Sequence, residues 1–134
     1  AVRTDSAITE TTALANRTIG VEWGSMGDMV GRRLQKTTPT LQLQPFDTPT
    51  AAITALVEER TVDAILLDHV TLRIAQVQGA PLITVGPVLE SNPFVIAMPV
   101  NARELHAAVA EQLLALQKQG VIADLESTHF QEAP

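Results

Sequence analysis

Two short stretches of this chain carry groups suited to holding opposite charges. Gly24-Ser25-Met26-Gly27 offers a hydroxyl and a run of backbone N–H groups, the equipment for a carboxylate or phosphate. Asp68 offers a carboxylate for a cation. Ser25 stands where a helix N-cap belongs, with Asp28 three residues on completing a capping-box-like pair ahead of Met29, Val30 and Leu34. Each feature has an ordinary structural reading beside the chemical one: Ser25 as a plain cap, Asp68 as the cap of a helix entering at Val70. A small zwitterion such as an α-amino acid presents both charges a few bonds apart, so it would need both stretches together.

The elements that must position them alternate. Ile19 and Val21 read as a short buried strand running into the Gly24–Gly27 turn, and a helix follows from about Met26 to Lys36. Leu41 and Leu43 alternate with Gln42 and Gln44, the period-two pattern of a strand over Thr40–Pro45. Thr48 caps a helix with Pro49 at its first position, where the missing N–H costs nothing. Ala52, Ile53, Leu56 and Val57 form that helix's buried stripe. Ala64-Ile65-Leu66-Leu67 is an unbroken apolar run, as expected of a strand covered on both faces, and it ends at Asp68. A helix over Val70–Val77 closed by Gly79, then a strand over Leu82–Val85, continue the alternation. Such a pattern predicts an α/β domain with a mainly parallel sheet flanked by helices, in which ligands gather at the carboxyl ends of the strands.

The flanks read differently. Ala1–Arg3 resembles the tail of a strand, and Thr4–Arg17 is polar with a short helix through Ile8–Leu14. Gly86–Pro93 is a break rich in turn residues, and Phe94–Met98 is again strand-like. Asn101 with Glu104 predicts a capped helix whose Leu105, Ala108, Val109, Gln112, Leu113 and Leu116 share one face. Gly120 stops it, Val121–Phe130 forms a second short helix, and Gln131–Pro134 is a frayed tail.

Composition narrows the function classes. At 134 residues, 46% hydrophobic and 18% charged, the chain is globular and able to bury a core. No apolar run approaches the roughly 18 residues of a membrane span. Fifteen acids against nine bases, with no basic cluster, argue against nucleic acid. Three Phe, one Trp and no Tyr leave no stacking surface for single strands. The absence of cysteine excludes disulfides, thiol nucleophiles and zinc–thiolate sites. His69, His106 and His129 lack metal-ligand spacing, and Gly20, Gly24 and Gly27 do not make a dinucleotide fingerprint, so neither metal nor cofactor is expected. Glu22, Asp28 and Asp63 have simpler explanations than an acid–base set: the solvent side of a strand, the cap, and a turn. The chain opens on Ala1 with no signal peptide visible, which points to a processed product or an excised piece.

Four pieces in order resemble the amino-acid-binding group of extracytoplasmic solute-binding proteins, the two-lobed receptors (type 2, family 3-like) that serve ABC importers. They are Leu14–Val21 ahead of Gly24-Ser25, then Val62–Asp68, then Asn92–Met98, then Glu104-Leu105 with the long helix ending at Gln119-Gly120. The resemblance implies a non-catalytic protein that binds a polar amino acid and passes it to a permease, outside the cytoplasm. It implies that Ser25 and the N–H groups of Met26 and Gly27, after Gly24, receive the ligand carboxylate. Asp68 would take the ammonium, Leu67 would lie against the ligand side chain, and Trp23 would line the cleft mouth unless it serves the core or the lobe surface. Met26 stands where the family often has a second hydroxyl, and Arg60-Thr61 where it often has Gly.

By the same resemblance, residues 1–90 are lobe two with the first hinge strand, and residues 91–134 are the second hinge and the returning part of lobe one. The lobe-one arginine that clamps the carboxylate and the aromatic that covers the side chain have no counterpart here; Arg32, Arg33 and Arg73 lie in helix bodies. A charge-assisted hydrogen bond contributes roughly 1.5–3 kcal/mol, so losing the clamp alone weakens binding about ten- to a hundredfold. Half a site is therefore expected. Phe94, Val95, Ile96 and the Leu105–Leu116 stripe would be left bare, which predicts a homo-oligomer formed through the C-terminal segment. The rival readings are a sensor ectodomain on the same fold, a dehydratase-like enzyme for prephenate-like substrates, and the effector lobe of a transcription regulator. Flanking sequence or an activity assay separates them.

Overall fold

The computed structural model describes residues 1–92 and 94–129. They form two compact units, Ala1–Glu90 and one that begins at Ser91. In chain order the first unit contains β1 (Val2–Arg3), a 3-10 turn (Thr11–Leu14), β2 (Thr18–Glu22), α1 (Met26–Thr37), β3 (Gln42–Phe46), α2 (Pro49–Val57), β4 (Ala64–Leu66), α3 (His69–Val77) and β5 (Leu82–Ile83). The second contains α4 (Arg103–Lys118) and α5 (Val121–His129).

The first unit is the α/β arrangement expected from the alternation. β2 is central, parallel to β3 on one side and to β4 on the other, with Val21 opposite both Pro45 and Leu66. β1 and β5 form an antiparallel pair, and Ala1 exchanges two backbone hydrogen bonds with Ile65, which seats β1 against β4. Alternate side chains of the strands feed two cores. Ile65 joins Ala52, Ala55 and Leu56 of α2, Leu72 and Ala75 of α3, and Leu82 on one face. Ile19, Val21 and Ala64 join Val2, Ile8, Leu14 and Leu41 on the other. α1 packs beside that second face, where Gly31 lets Leu43 come close. Both faces of the sheet are thus covered, the reason Ala64-Ile65-Leu66-Leu67 reads as an unbroken apolar run.

The caps set the helix starts. Ser25 Oγ accepts from the N–H of Asp28, Thr48 Oγ1 from Ala51, and Asp68 Oδ1 from Thr71. The α2 C-terminus closes through a bond from Thr61 N–H to Ala55 O, with Arg60 held at φ 56°, a conformation that favours glycine.

Several expectations are corrected. The helix drawn over Ile8–Leu14 shrinks to a 3-10 turn at Thr11–Leu14, and the strand over Leu82–Val85 to Leu82–Ile83, because its partner β1 is only two residues long. Phe94–Met98 forms no strand. No neighbouring strand among the described residues receives its backbone, and Phe94 and Val95 stand 90% and 82% exposed. Asn101 does not cap α4. A turn closed by Ala102 N–H on Pro99 O delays the helix until Arg103, leaving Ala102 at the cap without a side-chain bond. α4 and α5 touch each other, yet neither buries a residue, so the Leu105–Leu116 stripe is exposed. Pro93, Phe130 and the tail from Gln131 lie outside the described residues.

Candidate functional site

Because β2, β3 and β4 run parallel and each is followed by a helix, the starts of α1, α2 and α3 share the carboxyl edge of the sheet. The Gly24–Gly27 turn leaves β2 and Asp68 leaves β4, and these two strands are hydrogen-bonded neighbours. Gly27 marks how tightly the two tips approach: a Cβ built there would fall 2.7 Å from the carbonyl oxygen of Leu66, two residues before Asp68. Gly24 turns the chain with φ 72°, which a side chain would resist.

The turn is fixed from beneath by Asp28, which is 5% exposed. Its Oδ2 accepts from the N–H of Gly24 at 3.1 Å and from Arg32 Nη2 at 3.2 Å. Its Oδ1 meets Arg32 Nε at 2.9 Å in an ion pair along one helical turn. The Arg32 guanidinium, with the Gly24 N–H, outweighs the cost of burial and holds the Asp28 carboxyl below the usual carboxylate range. Ser25 donates its N–H to Glu22 O, and its hydroxyl oxygen serves Asp28. What remains open among the described residues is the N–H of Met26 and of Gly27, the first-turn donors that a helix cannot satisfy itself.

Asp68 is an N-cap. Both of its oxygens are engaged by Thr71, Oδ1 by the backbone N–H at 2.9 Å and Oδ2 by the hydroxyl at 2.5 Å. Partial burial opposes its charge, but the Thr71 hydroxyl and the N–H groups of Thr71 and Val70 prevail and lower its pKa. Asp68 and His69 are both exposed. Leu67, half-buried, packs on the core between α2 and α3. Trp23 is 72% exposed, so it is not a core residue; its backbone N–H donates to Phe46 O. Met26 and Met29 are also exposed and follow it along the same corner.

Sequence reasoning missed Thr71 and Arg32. Asp-x-x-Thr from Asp68 to Thr71 and Asp-x-x-x-Arg from Asp28 to Arg32 were the available signals, since those spacings place the pairs in contact at a helix start and along one helix face. Among the described residues no group of acids and histidines is arranged to hold a metal ion. An open depression of about 450 Å³ lies in the second unit, lined by Ile96, Met98, Val100, Arg103 and His106. It is part of that unit's exposed apolar surface and has none of the charge-pairing seen at the strand tips.

No protein-family model and no curated protein sequence matches the chain. Solved structures do. A mutant of ArgBP from T. maritima is 26% identical, with a TM-score of 0.69, over 98% of this chain and 56% of that one. Domain 2 from TmArgBP alone is 27% identical, with a TM-score of 0.55, over 67% of this chain and 95% of that one. An arginine 3rd transport system periplasmic binding protein from Legionella pneumophila matches over 96% of this chain and 59% of its own, at 19% identity and a TM-score of 0.67. The structural relatives of this chain are amino-acid-binding proteins of ABC transporters. Its α/β fold with a parallel sheet is the fold of such binding proteins, and it spans a little over half the length of the full-length ones. No helix among its described residues is long and apolar enough to cross a membrane.

Proposed function

We propose that this chain contributes one half of the binding site of an extracytoplasmic solute-binding protein, periplasmic in a cell with two membranes, that hands a polar amino acid to an ABC transporter permease. Its role is binding, not catalysis. Ser25, Met26 and Gly27 hold the ligand carboxylate, Gly24 shapes their turn, and Asp68 holds the ammonium. Leu67 and Trp23 flank the ligand side chain. Residues 1–90 are the second lobe with its first hinge strand. The chain from residue 91 onward is the second hinge and the returning piece of the first lobe. The compact unit Ala1–Glu90 supports placing the boundary there.

The observation that carries the reading is the parallel register of β2 and β4, Val21 opposite Leu66, which brings two open N–H groups and one low-pKa carboxylate to adjacent strand ends. Calorimetry of the chain against a panel of amino acids tests it. The informative variant is Asp68→Asn, because Asn caps a helix about as well as Asp while removing the charge. Binding should weaken at least tenfold; unchanged binding removes Asp68 from the site.

The C-terminal unit pairs with a second copy of the chain through its exposed Phe94, Val95 and Ile96 and the Leu105, Leu113 and Leu116 stripe. Sedimentation at micromolar concentration should give a mass above that of one chain, and a strictly monomeric mass rejects the pairing.

A further inference from the structure

The buried carboxylate beneath the turn raises an electrostatic problem. Asp28 accepts from Gly24 N–H and receives its own cap from Ser25, so a negative charge sits one or two residues from the open N–H groups of Met26 and Gly27. Left alone, that charge would repel the anion the turn is proposed to hold. It is not left alone: Arg32 Nη2 donates to Oδ2, its Nε lies 2.9 Å from Oδ1 in an ion pair, and the Arg32 side chain stays 60% exposed. We infer that Arg32 is a positioning residue for the anion subsite, locking Asp28 against the Gly24 N–H and cancelling its charge so that the turn presents a net attraction to a carboxylate.

This rests on the proposed carboxylate role of the Gly24–Gly27 turn, and it assigns a task to an arginine that sequence spacing consigned to a helix body. The arrangement explains why a buried acid is tolerated under an anion site. The bonds that Asp28 makes with Gly24 and Ser25 hold the turn that carries the two open N–H groups, and Arg32 removes the electrostatic penalty of using an acid to do so.

The test is a charge-balance cycle on the full 134-residue chain, with L-glutamine, L-arginine and acetate as probes and the amide resonances of Met26 and Gly27 as readout. Arg32→Gln should raise the dissociation constant of a probe that binds the unaltered chain by about tenfold, as the exposed charge of Asp28 now acts at short range. Arg32→Lys, which keeps the charge, should stay within about threefold. The double variant Asp28→Asn/Arg32→Gln should recover to within about twofold of the unaltered chain, because neither charge remains. A merely structural pair predicts the opposite, the double variant binding no better than Arg32→Gln, and that result overturns the inference. So does unchanged binding in Arg32→Gln.

If no probe moves the Met26 and Gly27 amides of the unaltered chain, the carboxylate role of the turn fails. The locking part of the inference is still read from hydrogen exchange. The Gly24 amide should exchange about tenfold faster in Arg32→Gln, with Lys36→Gln as the distant control. Equal exchange in the two variants overturns it.

Discussion

Gly27→Ala probes the one contact on which the meeting of the two strand tips depends. A methyl group there would stand 2.7 Å from Leu66 O and 3.3 Å from both Leu66 C and Leu66 Cβ. The nearest atoms belong to a backbone that is paired in the sheet, so no side chain can swing aside, and roughly half an ångström of separation must come from moving α1 off β4. Overpacking of this kind costs roughly 1–3 kcal/mol, offset by at most ~1 kcal/mol from the better helix propensity of Ala. A net loss of about 1–2 kcal/mol is expected, or a drop of about 1 M in the urea midpoint if the slope is near that of small domains. Gly31→Ala is the internal control. Its methyl would meet the tips of Leu43 at 2.9 and 3.1 Å, and a leucine end can rotate away, so its midpoint should hardly move. The assay is urea unfolding followed through the methyl resonances of Ile19 and Ile65, both fully buried in the first unit. A Gly27→Ala chain as stable as Gly31→Ala would refute the claim that backbone contact sets the spacing of the two tips.

Arg60 stands at φ 56° with only exposed ion pairing to Asp5, so Arg60→Gly should raise stability by about 1 kcal/mol by thermal or urea unfolding. Asp68→Ala removes both the α3 cap and its charge and should cost about 1 kcal/mol, whereas Asp68→Asn keeps the cap and should lower the urea midpoint by less; equal losses would mean that the charge, not the cap, stabilises the helix. The pKa values of Asp28 and Asp68 are both lowered in the fold, so the stability they confer is present above the unfolded carboxylate value of 3.8 and is lost as pH falls through their lower folded values. Asp28→Asn should therefore be less stable at neutral pH and show a shallower acid decline below about pH 4 in a pH series of unfolding midpoints.

How much of this was written in the sequence varies from one element to the next. Caps were legible because they are local: Ser25, Thr48 and Asp68 each serve an N–H three residues away, a distance set by helix geometry alone. The alternation of strands and helices was legible for the same reason, through side-chain period. Phe94–Met98 shows where that reasoning stops. Its residues have strand chemistry, but a strand is completed by a neighbour, and among the described residues none stands beside it. Asn101 failed as a cap because the turn at Pro99–Ala102 moved the helix start by one residue, a choice that propensity does not make.

The polarity of each piece follows from residue order alone: which stretch offers donors, which offers a carboxylate, and which face of each helix is apolar. That β2 lies beside β4 in parallel and that Gly27 comes against Leu66 are decided by the folded chain alone. The physical reason is range. Caps and periodicities are settled within a few residues of chain, whereas the pairing of strands more than forty residues apart is selected by burial of both sheet faces at once, a quantity no local window contains.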